Sequence, residues 1–195
     1  TSEFLINTTT SGTQTNPSIT AAGDNAYIAI WDREGTGDTT GVFGQLFVNE
    51  PPAVAMTGST LAFTENDSAT VIDSGLTVSD TDDTVLVGAT VTISANYANG
   101  EDVLAFTDQL GITGAWVAAT GVLTLSGTAS LANYQSALRT VTFANASESP
   151  TTATRTITVV VDDGEDQSGA ANRSVSVTSV NDLAMVTTTG TTLVF

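Results

Sequence analysis

The chain contains two similar short segments, one at the end of its first third and one at its C-terminus. Residues 49–63 read NEPPAVAMTGSTLAF and residues 181–195 read NDLAMVTTTGTTLVF, with Asn, Val, Thr, Gly, Thr, Leu and Phe identical at equivalent positions. A segment that recurs at a fixed spacing is typical of modules arranged end to end. The sequence therefore predicts one module over residues 49–182. Residues 183–195 are expected to be a linker and the first strand of a next repeat, or a strand donated to a neighbour.

The composition excludes several classes of partner and of chemistry. The net charge is −17 and the 4 basic residues are all arginines, so we expect no surface that binds nucleic acid or an anionic membrane. No apolar run is long enough for membrane insertion. Cys and His are absent, which excludes disulfides, thiolate or imidazole metal sites and His-based catalysis. We expect a protein that binds hard cations through oxygen atoms and is not an enzyme.

Most of the chain alternates apolar and polar residues, with Gly, Asn and Asp between the alternating runs. Runs of period two are typical of β-strands that bury one face. They predict an all-β fold, a β-sandwich with Greek-key connections, preceded by a small β unit of three strands over residues 1–48. The predicted strands of the sandwich cover residues 59–64, 75–78, 89–95, 103–106, 112–117, 122–126, 139–144, 154–162 and 172–180.

One segment departs from this period. In SLANYQSALR, the residues Leu131, Tyr134 and Leu138 recur at helical spacing, and Ser130 is a typical N-cap residue. The spacing predicts a short helix that crosses between strands, with those three apolar side chains buried and Gln135 exposed.

Five motifs occur in order along the chain: FTENDSATVIDSGLTVSDTDD, ATVTISANYANGEDVLAF, ATGVLTLSGTASLANYQSALRTVTF, ATRTITVVVDDG and SVNDLA. Together they resemble the cadherin-like tandem repeats of very large bacterial surface and secreted proteins, including adhesins, over residues 48–184. The resemblance implies an Ig-like or cadherin-like sandwich in a secreted, extracellular or cell-surface protein. It also implies copies of the same module, or adjacent repeats, as partners. Residues 1–47 resemble a different, shorter repeat of the same kind of protein.

Carboxylates are the groups that could carry chemistry, and they cluster on turns in TEND, SDTDD, VVVDDG and VND. Calcium takes six to eight oxygen ligands from such turns. The candidate calcium ligands are Glu65, Asp80, Asp82, Asp83, Asp162 and Asp182. The cadherin-like resemblance, in which such groups converge at module junctions, implies Glu65, Asp80, Asp82 and Asp182 among them. Alternatively, these are solvated turn and cap residues, since Asp and Asn favour turns.

Two classes of function remain open. The chain is either a structural module, as a filament protomer or an array repeat, or an adhesin module that recognises a glycan or another surface protein. A binding module is expected to expose an aromatic or apolar pocket away from its ends, whereas a spacer makes only end contacts. For assembly, Leu193 and Phe195 are expected to lie on a strand that pairs with a neighbour's open sheet edge. Such a head-to-tail contact builds a fibre.

Overall fold

The computed structural model describes residues 14–23, 26–35 and 38–182, and the fold of these residues is all-β, as predicted. They form fourteen strands and one short helix, α1 (Leu131–Leu138), which follows the eleventh strand. In chain order the strands are β1 (Gln14–Gly23), β2 (Ala26–Gly35), β3 (Asp38–Val48), β4 (Ala53–Ala55), β5 (Leu61–Thr64), β6 (Thr70–Val71), β7 (Thr77–Ser79), β8 (Val85–Ala95), β9 (Asp102–Ala105), β10 (Thr113–Val117), β11 (Val122–Ser130), β12 (Thr142–Asn145), β13 (Arg155–Asp162) and β14 (Ala171–Thr178).

Strands β1, β2 and β3 form an antiparallel sheet of their own, which we call the N-terminal sheet. Opposite residues of an antiparallel pair share a face, and successive residues alternate between faces. Tyr27 on β2 lies opposite Phe47 on β3, and the next residue, Ile28, lies opposite Leu46. Both faces of the N-terminal sheet therefore carry large apolar side chains.

The other strands build a sandwich around one apolar core. A six-stranded sheet in the order β10-β11-β8-β13-β14-β5 faces a three-stranded sheet in the order β6-β12-β9, and β4 pairs with β7. Within the six-stranded sheet, β14 and β5 pair in parallel and the other neighbours are antiparallel. The rings of Phe63 on β5 and Phe143 on β12 meet edge to face, with centroids 5.2 Å apart. This contact joins the two sheets through the core.

Strand β13 shows how the alternating sequence produces the sandwich. Ile157, Val159 and Val161 are fully buried, whereas Thr156 and Thr158 lie on the outer face of the sheet. Burying an aliphatic side chain of this size contributes about 1.5–3 kcal/mol. One face of each such strand therefore stabilises the fold while the other meets solvent.

Helix α1 has the predicted N-cap and two of the three predicted buried residues, whereas Leu131 is only half-buried. The Ser130 hydroxyl accepts a hydrogen bond from the Asn133 N–H at 3.2 Å, as an N-cap does, and Tyr134 and Leu138 are fully buried. The expectation that Gln135 is exposed is wrong. Its side chain is half-buried because its Oε1 accepts a hydrogen bond from the backbone N–H of Val78 on β7 at 3.1 Å. In the described part of the chain, the helical structure falls short of the length and apolarity that crossing a bilayer requires.

Several strand boundaries differ from those predicted. Strand β12 begins at Thr142 rather than at residue 139, because the helix ends there and the Thr140 N–H still bonds to the Ala137 carbonyl. Strand β11 continues beyond residue 126 through a register shift between Ser126 and Ala129. The short strands β4 and β6 were not predicted, since two or three residues carry no periodic signal.

A buried ion pair, which the sequence did not predict, lies inside the sandwich. Arg155 and Asp102 are both almost fully buried, and the Arg155 Nε lies 3.2 Å from the Asp102 carboxylate. That carboxylate also accepts hydrogen bonds from the Asn145 side chain at 2.6 Å and from the Ala98 N–H at 2.8 Å. The carboxylate thus has several donors around it, which offset the cost of removing it from water.

Candidate metal centres

The pairing of the strands defines two opposite ends of the sandwich. Strand β13 is antiparallel to β8, with Asp162 opposite Gly88 and Thr156 opposite Ala95. The loop before β8 and the loop after β13 therefore lie at one end, which we call the leading end. Strands β5 and β14 are parallel to each other and β14 is antiparallel to β13, so both finish at the opposite end, the trailing end. The 8 residues of β13 separate the two ends by about 25 Å.

Three carboxylates meet at the leading end. Asp80 and Asp83 lie in the loop between β7 and β8, and Asp163 directly follows β13. One carboxylate oxygen from each residue lies within 4.8 Å of those from the other two. We call this group the leading cluster.

Asp80 and Asp163 each use one oxygen to shape their own loop. The Asp80 Oδ1 accepts from the N–H groups of Asp82 and Asp83, at 3.2 Å each. The Asp163 Oδ1 accepts from the N–H groups of the two residues at 165 and 166, at 2.7 Å each. These are the contacts that the alternative of plain turn residues predicts. These contacts, however, involve only one of the two oxygens of each carboxylate.

The second oxygen of both residues has a different environment. The Oδ2 atoms of Asp80 and Asp163 are buried, and no hydrogen-bond donor of the described residues reaches either of them. Asp163 as a whole is 8% exposed. A buried carboxylate oxygen without a partner is costly, by about 1–3 kcal/mol or more for a charged group. Among the described residues, no positively charged group offsets this cost in the leading cluster.

The carboxylates of the leading cluster repel one another, as the pKa of Asp83 shows. Burial raises the pKa of Asp83 above its ordinary value, and the negative charges of Asp80, Asp82, Asp163 and Glu165 raise it further. Both ion pairs among the described residues, Arg155–Asp102 and Arg173–Asp73, lie outside the cluster. A divalent cation would offset the mutual repulsion of these carboxylates.

The chain joins the sandwich at the same place. The backbone N–H of Glu50 donates to both oxygens of Asp82 at 3.3 Å, and the side-chain amide of Asn49 donates to Asp166 at 3.0 Å. Asp82 and Asp166 belong to the two loops that form the leading cluster. These loops therefore hold both the carboxylates and the incoming segment.

A second group of carboxylates lies at the trailing end, and we call it the trailing cluster. It consists of Glu65, which follows β5, Glu148 from the loop after β12, and Asp182, which follows β14. One oxygen from each lies within 4.8 Å of the others. Glu65 is 4% exposed, whereas the other two residues are exposed.

Glu65 also fastens the departing chain. Its Oε2 accepts from the backbone N–H of Val180 at 2.6 Å, and its own N–H donates to the Thr178 carbonyl at 2.8 Å. Its Oε1 is buried and accepts no hydrogen bond from the described residues. The trailing cluster thus resembles the leading cluster, in which one oxygen of Asp80 and of Asp163 accepts from backbone N–H groups and the other is buried without a partner among the described residues.

The structure brings together four of the six predicted ligands, as two pairs. Asp80 and Asp83 meet in the leading cluster, and Glu65 and Asp182 meet in the trailing cluster. Asp82 binds the incoming backbone instead. Asp162 bonds to the Gly164 N–H and the Gln167 side chain, outside both clusters. Leu193 and Phe195, the predicted assembly residues, lie outside the described residues.

Two members of the clusters were not among the predicted ligands. Asp163 directly follows the predicted Asp162. Successive side chains of β13 point to opposite faces, so Asp162 lies on the outer face with Thr156 and Thr158, whereas the next residue joins the cluster. Glu148 follows a different strand and stands in no acidic motif, so its sequence position gives no signal.

The ligand chemistry of both clusters suits a hard cation. Each supplies carboxylate oxygens without nitrogen or sulfur donors, and oxygen ligands of this kind bind Ca²⁺ and Mg²⁺. Ca²⁺ takes six to eight oxygen ligands in a variable geometry, so carboxylates that come from separate loops fit it better than they fit the strict octahedron of Mg²⁺. The residues present could therefore hold one calcium ion at each end.

Comparison with known proteins gives a partial match. The chain is 38% identical to Halomucin from Haloquadratum walsbyi in an alignment over 141 residues, which covers 68% of this chain and 2% of Halomucin. The chain thus spans a very small part of that relative. No family model matches the chain, and no solved structure matches it.

Proposed function

We propose that the chain is a structural module of an extracellular assembly, stabilised by a calcium ion at each end of its sandwich. The observation that carries this proposal is the position of the two acidic clusters. One lies where the chain joins the sandwich and the other where it leaves, and each contains a nearly buried carboxylate with an oxygen that lacks a partner.

At the leading end, an ion would join two loops that are far apart in sequence. Asp80 and Asp83 come from one loop and Asp163 from the other. Since the same loops hold Glu50 and Asn49, an ion there would also fix the direction in which the incoming segment meets the sandwich.

At the trailing end, an ion would act on the departing segment. Asp182 belongs to that segment and Glu65 belongs to the sandwich. Binding both to one ion would restrict the first residues after β14, so that a following module would stand in a defined orientation.

Assembly into a filament or an array is the second part of the proposal. The cadherin-like resemblance, the repeated segment at residues 181–195 and the match to a small part of a much longer protein all support it. The N-terminal sheet adds support, because its apolar residues are exposed on both faces, including Ile19, Tyr27, Ile30, Val42 and Leu46. Such faces are typical of surfaces that pack against another layer. The proposal assigns the chain no enzymatic activity.

Thermal unfolding in millimolar calcium and in chelator tests the calcium sites. Calcium should raise the melting temperature, with a stabilisation of about 2.7 kcal/mol for each site at a free concentration of one hundred times Kd. Asp163→Asn and Glu65→Gln should each remove part of the gain. Asp162→Asn is the matched control, because it makes the same change one residue from Asp163 but outside the cluster. The proposal would be contradicted if calcium does not change the melting temperature, or if Asp162→Asn and Asp163→Asn reduce the calcium-dependent rise equally.

Assembly is tested by sedimentation of the full chain and of a chain that ends at Asp182. If residues 183–195 donate a strand, the full chain should form oligomers and the shortened chain should remain a monomer with an unchanged melting temperature. Equal oligomerisation of the two chains would rule out strand donation by this segment.

A further inference from the structure

The outer face of the six-stranded sheet carries a groove near the leading end, and the groove shares no lining residue with either acidic cluster. It is open to solvent and has a volume of about 230 Å³. Strands β11, β8 and β13 form its floor and walls, which include Gly88, Thr90, Thr124, Ser126, Val160 and Asp162. This is the outer face because Ala89, Leu125 and Val161, which alternate with these residues, point into the core.

The groove exists because one outward position lacks a side chain. Gly88 on β8 lies between Ser126 on β11 and Asp162 on β13. A residue of any other type would place its Cβ in the space between them. The register shift that follows Ser126 also contributes to the groove. Opposite this shift the alternation of β8 is interrupted, so that Leu86 is buried but both Val87 and Gly88 face away from the core.

The walls of the groove present a mixture of hydrogen-bond donors and acceptors. Thr90, Thr124 and Ser126 provide hydroxyl groups, which can both donate and accept. The Asp162 carboxylate is held in place, since it accepts from the Gly164 N–H at 2.8 Å and from the Gln167 side chain at 3.0 Å. Its remaining lone pairs can accept from a ligand. Val160 supplies an apolar wall.

These features select a class of ligand. None of the residues that line the groove is basic, and the chain has a net charge of −17, so an anion would be repelled. A divalent cation would find a single carboxylate there, whereas each acidic cluster offers three. Neighbouring hydroxyl groups of a sugar both donate and accept, as the wall groups do, and its C–H surfaces would meet Val160. The volume equals that of about eight water molecules, which is the scale of one sugar ring.

We propose that this groove binds a neutral saccharide unit. The groove contains no aromatic ring for the sugar to stack on, so binding to a single unit is weak, with a Kd of about 1 mM or higher. An array of such modules would bind a polysaccharide through many weak contacts at once, which raises the overall affinity.

The test is an NMR titration of the ¹⁵N-labelled chain with glucose, galactose, mannose and N-acetylglucosamine, one at a time. Choline and glucuronate serve as cationic and anionic probes. At least one neutral sugar should shift the amide signals of Gly88, Thr90 and Ser126, with little change at Glu65, Glu148 and Asp182 of the trailing cluster. The proposal is overturned if no sugar shifts these signals, or if only choline or glucuronate does.

Gly88→Thr fills the groove and should abolish the shifts. The backbone allows this change, because Gly88 does not have a positive φ and an added Cβ would meet the Leu125 carbonyl at 3.6 Å and the Asp162 Cβ at 3.8 Å, both ordinary contacts. Threonine is also favoured in strands, so the melting temperature should not fall. Shifts of undiminished size in folded Gly88→Thr would overturn the proposal.

A second pair of variants separates hydrogen bonding from shape. Thr124→Val keeps the outline of the groove but removes a hydroxyl, and it should weaken sugar binding several-fold. Thr156→Val makes the same change on the outer face of β13 outside the groove and should leave binding unchanged. Equal effects from the two variants would show that the Thr124 hydroxyl does not contact the sugar, which contradicts the proposed site.

Discussion

The N-terminal sheet and the sandwich use similar strands but bury them differently. In the sandwich, side chains such as Val91, Leu125 and Val159 are fully buried between two layers. In the N-terminal sheet, Val42 is 69% exposed and Leu46 is 56% exposed. The difference arises because, among the described residues, no other sheet packs against the N-terminal sheet as the two sheets of the sandwich pack against each other. An alternating pattern is thus sufficient to form strands, but a facing layer is needed before their apolar residues stabilise the fold.

The largest expected contrast between the two regions concerns a carboxylate in each. Asp102→Ala should destabilise the sandwich by about 3–5 kcal/mol, because it leaves the buried Arg155 charge unpaired. Asp32→Ala in the N-terminal sheet should cost less than about 1 kcal/mol, because it removes an exposed hydrogen bond from Asn16. Urea unfolding of the two variants measures both values. A similar cost for both changes would show that burial does not separate the two regions.

A leucine in each region gives the next contrast. Leu138 on α1 is fully buried, so Leu138→Ala should cost about 2–5 kcal/mol through lost burial and the cavity that remains. Leu46→Ala should change the free energy of unfolding by less than about 0.5 kcal/mol in the isolated chain. A large loss from Leu46→Ala would instead indicate that the N-terminal sheet is covered in solution, and a sedimentation measurement at several concentrations would show whether another copy covers it.

The smallest expected effect is a pH dependence of the free energy of unfolding, which comes from a tyrosine in the sandwich. Tyr134 is fully buried and its hydroxyl donates to the Gly127 carbonyl at 2.6 Å. Burial, and then the charge of Asp162, raise the pKa of Tyr134 above its ordinary value of 10.0. The folded state therefore holds this proton more tightly than the unfolded state, so the stability it contributes is complete below pH 10 and is lost as the pH rises through the raised pKa.

Tyr134→Phe should accordingly cost about 1 kcal/mol at neutral pH, since it removes one hydrogen bond. Above pH 10 the difference between the wild type and the variant should shrink, because phenylalanine has no proton to lose. Unfolding curves recorded at neutral pH and at several alkaline values give this difference. If the difference in free energy of unfolding between the two proteins stays constant at all these pH values, Tyr134 does not contribute to the loss of stability at alkaline pH.

The sequence predicted those parts of the molecule that depend on local pattern. The alternation of β13 and the helical spacing of Leu131, Tyr134 and Leu138 are properties of single segments, and the structure has the strand and the helix there. The N-cap role of Ser130 is equally local. These elements form because each side chain meets neighbours a few residues away in the chain.

The parts that the sequence did not predict depend on contacts between distant segments. Gln135 is half-buried because β7 supplies a donor, and the Arg155–Asp102 pair joins residues 53 positions apart. The acidic motifs did indicate where carboxylates gather. They did not indicate that Glu148 would join Glu65, since only the folding of β12 and β5 toward one end brings the two together.

The parallel pairing of β5 and β14 has a mechanical consequence. Strand β14 is the last strand of the sandwich and β5 is its second, after the three-residue β4, and the two lie side by side over four residue pairs, from Val175 and Leu61 to Thr178 and Thr64. A force that pulled the two ends of the chain apart would slide the strands along each other. Their hydrogen bonds would then be loaded together in shear, whereas strands pulled sideways would break them one after another. A module built in this way is suited to carry tension along a chain of modules.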